Sequence, residues 1–140
     1  MPRAATLLAA ILVLLEAAGC GPRSSQPLKT GDPAVAWRRL GSWSGRGDVQ
    51  TESFTSDTGV LRIRWETTVA SADAASSVSN GTFRVTAHSA ISGRPLQQIV
   101  DHIGSGSAIS YAQQDPHVFY IVVESAHLDW TFTVEEATAY

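Results

Sequence analysis

Apolar and polar residues alternate with a period of two from about Asp48 onward, in short runs separated by turn signals. Successive side chains of a strand point to opposite faces, so this pattern describes strands buried on one side, and it conflicts with a helix whose apolar stripe returns every 3.6 residues. The clearest run, Val60 to Thr67, sets Leu61, Ile63 and Trp65 against Arg62, Arg64 and Glu66. Phe83, Val85 and Ala87 alternate with Arg84, Thr86 and His88, and Trp130, Phe132 and Val134 with Thr131, Thr133 and Glu135. Leu96 to Ile103 reads with Ile99, Asp101 and Ile103 opposing Gln98, Val100 and His102. Ala108 to Ala112, Val118 to Val123 and a weak, polar Val49 to Thr55 complete the series. Ser56-Asp57-Thr58-Gly59, Asn80-Gly81, Ser92-Gly93-Arg94-Pro95, Gly104 with Gly106, and Asp115-Pro116 supply the turns. About seven short strands at this spacing predict an all-β fold: a single small antiparallel β-sandwich, jelly-roll-like or immunoglobulin-like. The expected inward set is Leu61, Ile63, Trp65, Phe83, Val85, Ala87, Ile99, Ile109, Tyr111, Phe119, Ile121, Val123, Trp130, Phe132 and Val134.

Val118-Phe119-Tyr120-Ile121-Val122-Val123 departs from alternation, being apolar on both faces. Such a strand needs cover on both sides. Trp37, Leu40 and Trp43 are the expected cover, folding back over its outer face. The alternative is an apolar strip around Tyr120 and Val122 that docks a partner.

Residues 1–19 do not read as part of this fold. Met1-Pro2-Arg3 is a positive start, Ala4 to Leu15 is unbroken small and apolar sequence, and Glu16-Ala17-Ala18-Gly19 ends in small residues, which together make a secretory signal. As a helix the apolar run would extend roughly 18 Å, short of a hydrocarbon core about 30 Å thick. The single cysteine, Cys20, follows directly. Ala17-Ala18-Gly19-Cys20 resembles the lipobox of bacterial lipoproteins, with Ala17 where that family prefers Leu and with an unusual charge at Glu16. The resemblance implies that Cys20 is lipidated and tethers the mature chain to a membrane of the cell envelope; ordinary secretion, with Cys20 left as a free thiol, is the other reading. Gly21, in place of Asp, is compatible with outer-membrane sorting by the same resemblance.

Residues 20–36 then hold three prolines and little apolar periodicity and read as a flexible tether, leaving 37–140 as the sandwich domain. Ala70 to Asn80, rich in Ala, Ser and Asp, reads as a long surface loop. With no second cysteine there is no internal disulfide, so the domain relies on its core. The formal net charge of −3 survives loss of Arg3 and Glu16 with the leader, and it offers no general attraction to nucleic acid or anionic lipid.

The chemical motifs are few. The chain has no Gly-x-Ser-x-Gly elbow and no His-Glu-x-x-His helix. Asp101 and His102 are adjacent on a strand, point to opposite faces and therefore cannot relay a proton to a serine directly. His88, His102, His117 and His127 are too scattered for a structural zinc site, so no metal and no cofactor is expected. Gly104-Ser105-Gly106-Ser107 lacks a following Lys and reads as a turn, and Arg46-Gly47-Asp48, though it spells an adhesion tripeptide, has an adequate turn role. Arg62, Arg64 and Arg84 would share one outer face if their strands are neighbours. They would then either grip a carboxylate or phosphate or pair across strands with Glu66 and other acids.

The stretch Phe83 to Leu96, flanked by Arg62-Ile63-Arg64-Trp65-Glu66, Asp115-Pro116-His117-Val118-Phe119-Tyr120 and Val123 to Trp130, resembles an uncharacterised family of exported bacterial domains over roughly residues 43–136. The resemblance implies a domain boundary and contributes no catalytic residues. The sequence therefore leads to a membrane-anchored exported lipoprotein, not an enzyme, whose β-sandwich binds an envelope protein or surface ligand through some of Arg62, Arg64, Arg84, Tyr120 and Val122. The alternative is a structural or accessory subunit of an envelope complex, with a sandwich edge paired to a neighbour.

Overall fold

The computed structural model describes residues 35–70 and 81–138. The expected leader, Cys20, nearly all of the expected tether and the expected loop from 71 to 80 lie outside the described residues. The described residues contain no helix.

Among the described residues nine strands form two antiparallel sheets: β1 (Ala36–Arg46), β2 (Val49–Gln50), β3 (Phe54–Ser56), β4 (Val60–Val69), β5 (Thr82–Ser89), β6 (Pro95–Ile103), β7 (Gly106–Gln113), β8 (His117–Ala126) and β9 (Leu128–Thr138). The front sheet runs β1-β9-β4-β7. The back sheet runs β2-β8-β5-β6, with β3 paired to β8 beyond β2. The fold is a small all-β sandwich, as the alternation implies, with nine strands rather than about seven. Two changes account for the difference: Val49 to Thr55 is two short strands, and the segment before it is the long edge strand β1. The strand expected over Ala108 to Ala112 also extends to Gly106–Gln113.

The core lies between the sheets. Leu61, Ile63, Phe83, Val85, Ala87, Phe119, Ile121, Val123, Leu128 and Val134 are fully buried, and Trp65, Trp130 and Phe132 nearly so. Each of these side chains except Ala87, which gives less, contributes roughly 1.5–3 kcal/mol when taken out of water. The inward list needs three corrections. Ile109 and Tyr111 are 46% and 60% exposed, because β7 turns Ala112 and Ser110 toward the core instead. On β6 the buried residue is Val100, opposite Val85; a register shift between Val85 and Thr86 leaves Ile99 only half-buried, and Ile103 is exposed.

Trp37, Leu40 and Trp43 do not cover the outer face of β8. Their strand belongs to the other sheet, where β1 pairs with β9. The pairing shifts between Arg39, opposite Glu135, and Gly41, opposite Val134, so Leu40 is an extra residue in a bulge. One extra residue reverses the faces of everything before it. Trp43 therefore points into the core, stacked on Phe132 at 5.2 Å, while Trp37 points out. Gly41 is glycine because the Trp43 ring lies where a Cβ would stand.

The outer side of β8 is covered from within its own sheet. The His88 ring stacks on Tyr120 at 5.0 Å, and the Tyr120 hydroxyl donates to the Gly93 carbonyl at 3.2 Å. Val118, Tyr120 and Val122 are left half-buried.

Candidate functional site

The outer face of the front sheet collects the residues least explained by folding. Arg62 on β4 has Tyr111 of β7 on one side and Glu135 of β9 on the other, with Arg39 of β1 beyond Glu135. The Arg62 guanidinium lies 4.4 Å above the Trp37 ring and donates through Nε to Glu135, whose side chain is largely buried. Tyr111 leans over the same arginine to place its ring 6.0 Å from Trp37. The Glu135 carboxyl is held below the usual range, first by the Arg62 hydrogen bond and, against the opposing effect of burial, by the charges of Arg62, Arg64 and Arg39.

Glu135 is thus committed to Arg62, and the two flanking arginines are not. Arg39 and Arg64 are exposed and make no ion pair or side-chain hydrogen bond among the described residues. Beside Arg64 is an open depression of about 330 Å³ bounded by Glu66, Ser107, Ile109 and Thr131. The result is an aromatic floor flanked by two guanidinium groups that make no ion pair among the described residues, with Glu66 at the border of the depression, suited to a ligand that carries an anionic group next to flat or apolar surface.

The expected arginine trio is divided. β4 and β5 are consecutive in the chain but lie in different sheets, so Arg84 is on the opposite side of the sandwich from Arg62 and Arg64. There Arg84 stands 3.7 Å from both Asp101 and Glu124, on the side that carries Tyr120 and Val122. Pairing with cross-strand acids is the role it fills. Asp101 meets Arg84 and Gln98, while the adjacent His102 turns to the other face and packs on Trp65 at 4.8 Å.

One serine–histidine contact was not legible in the sequence. Ser89 Oγ lies 2.6 Å from His117 Nε2 and accepts the backbone amides of Ile91 and Ser92 at 3.2 Å each. With two amides donating to it, the hydroxyl hydrogen goes to His117. All hydrogen-bonding capacity of Ser89 is spent, and the residue is 3% exposed. It caps the Ala90–Ser92 turn. Its nearest sequence signal is the spacing to Ser92-Gly93, which marks a turn but not the histidine twenty-eight positions on.

Two further motifs are absorbed by the fold. Arg46 makes paired hydrogen bonds to Asp129 at 2.7 and 3.1 Å, the Gly47 carbonyl accepts from Trp130 Nε1, and Asp48 accepts the Ser125 amide. Gly47 and Gly104 adopt positive φ at sheet-crossing turns, and Gly104 donates its amide to Gly81. Among the described residues no group of His, Cys, Asp and Glu is arranged to hold a metal ion. No protein-family model and no curated protein matches the chain.

Proposed function

We propose that this chain is an exported lipoprotein, anchored at Cys20, whose β-sandwich is a non-enzymatic binding module, and that it recognises an anionic group of an envelope partner on the outer face of the front sheet. Arg39 and Arg64 carry the reading. They flank a floor of Trp37, Tyr111 and Arg62, on a face whose central acid, Glu135, is already engaged. A guanidinium offers a fork of donors matched to carboxylate or phosphate, and it tolerates partial desolvation better than an ammonium does. The leader sequence, the position of Cys20 and the proline-bearing segment after it support the anchored location.

Two measurements test the two halves separately. Cys20→Ser should move the protein from the membrane fraction to a soluble or unprocessed form; a variant still processed and membrane-bound removes the lipid anchor from the reading. For recognition, the chain from Gly21 onward is immobilised and exposed to envelope extract. The expected result is a partner eluted by salt and lost, at least tenfold, with Arg39→Ala/Arg64→Ala. Equal capture by the wild type and the double variant removes this face as the binding surface.

A further inference from the structure

We propose that the free edge of β7 pairs with β7 of a second copy of this chain, joining two front sheets into one continuous sheet. A strand at the end of a sheet presents unpaired N–H and C=O groups, and folded proteins that remain apart blunt such edges with charge, proline, bulges or brevity. Three of the four edges of this sandwich carry such guards. β1 has the Leu40 bulge and the charged Arg38, Arg39 and Arg46. β6 begins at Pro95, shifts register twice and carries Asp101. The β2 and β3 edge is broken into pieces of two and three residues.

β7 carries none of these guards. Its eight residues, Gly106–Gln113, contain no charge and no proline, and they pair with β4 without any register shift from Val60↔Gln113 to Thr67↔Gly106. Its other edge pairs with no strand among the described residues. Two of the large apolar side chains left exposed, Ile109 and Tyr111, stand on its outer face.

The sequence of β7 favours its own copy as the occupant. In an antiparallel pair about a two-fold axis, each residue meets one on the same face. An axis at Ser110 sets Ile109 opposite Tyr111 of the copy, and Tyr111 opposite its Ile109. Both exposed side chains then acquire an aromatic–β-branched cross-strand partner, a favoured pairing, from a single contact that leaves neither uncovered. Every other outward position of β7 is Ser or Gln, so no like charges are brought together within the pair.

Sedimentation equilibrium of the chain from Gly21 onward, which keeps every described residue, tests the proposal. The expected result is a concentration-dependent dimer whose dissociation constant rises at least tenfold in Ile109→Lys, with an unchanged far-ultraviolet spectrum. That position is already half exposed, so the lysine guards the edge without entering the core. This chain lacks Cys20 and has no other cysteine. Mixing Ile109→Cys with Tyr111→Cys should therefore give a mixed disulfide under mild oxidation in greater yield than either variant alone. A monomer at all concentrations overturns the proposal, as does a dimer that Ile109→Lys leaves intact. A dimer without preferential mixed disulfide overturns the register. Arg64 stands directly opposite Ile109, but Arg39 lies on β1 at the far edge of the same sheet. The single variant Arg39→Ala therefore leaves β7 and its neighbour β4 untouched and should dimerise normally, so failure of the anion-binding reading and failure of this one are distinguishable.

Discussion

At the scale of single residues, the most consequential side chain is Glu136. It is 1% exposed at the inner end of β9. One carboxylate oxygen accepts from Arg38 of β1; the other accepts the Ser56 hydroxyl at 2.7 Å and the Asp57 amide at 2.9 Å, with Thr58 at 3.4 Å. Ser56 in turn accepts the Gly59 amide. One buried charge therefore fastens the turn after β3, in the back sheet, to two strands of the front sheet. Burial alone would raise the Glu136 carboxyl, but the bonds from Ser56, Arg38, Asp57 and Thr58 outweigh it and hold it below its ordinary 4.5. A carboxyl depressed in the folded state contributes stability above its unfolded value and loses it as pH falls through the folded one. Stability measured by urea unfolding should accordingly decline below about pH 4.5. Glu136→Gln should lose about 1.5–3 kcal/mol at neutral pH and show a shallower acid decline. Gly59 gives a second prediction. Its φ is +70°, and a Cβ there would meet the Gln114 carbonyl, so Gly59→Ala should cost at least about 2 kcal/mol in the same assay. Alternation with Trp130, Phe132 and Val134 already puts Glu136 on the inward face, and Ser56-Asp57-Thr58-Gly59 reads as a turn. What the sequence does not show is that Arg38 and the turn after β3 converge on that carboxylate and make its burial tolerable.

At the scale of elements, legibility followed the regularity of each strand. β4 reads directly because Leu61, Ile63 and Trp65 alternate without interruption, and β4 is paired on both sides. β1 does not, because the extra residue at Leu40 puts Trp37 and Trp43 on opposite faces although an even spacing separates them. Ile109 and Tyr111 were misplaced for a related reason: alternation shows that two residues share a face and leaves open which face is inward. Deleting Leu40 tests the bulge. The deletion would join Gly41 directly to Arg39 and leave them opposite Val134 and Glu135, so Trp37 and Arg39 stay outward and Arg38 stays at Glu136. The expected outcome is unchanged tryptophan fluorescence, with the midpoint of thermal unfolding lowered only by loss of the half-buried Leu40 side chain. Altered tryptophan fluorescence would show that the faces of β1 do not depend on this bulge. The candidate site suffered most from this, since its floor is built from Trp37 and Tyr111, both read as cover or core, and only Arg62 and Arg64 were recognised on the surface.

At the scale of the whole molecule, what local pattern omits is the pairing of distant strands. Among sequence-consecutive strands, only β5 and β6 pair with each other; the other paired strands lie farther apart in the chain. This separated Arg84 from Arg62 and Arg64 despite their resemblance in sequence. Few contacts form early in such a topology, so refolding of the chain from Gly21 onward should take milliseconds to seconds by stopped-flow fluorescence. A microsecond phase carrying the full amplitude would contradict it. The same topology has a mechanical consequence. The first described strand pairs with the last, Ala36 lying against Thr138, so a pull applied to the chain ahead of Ala36 loads that pairing from its tip. It would peel β1 away one rung at a time rather than shear all rungs at once. The contact between Arg38 and Glu136 lies two residues in from that tip, where it would act as the catch that the peeling must release before the front sheet can begin to come apart.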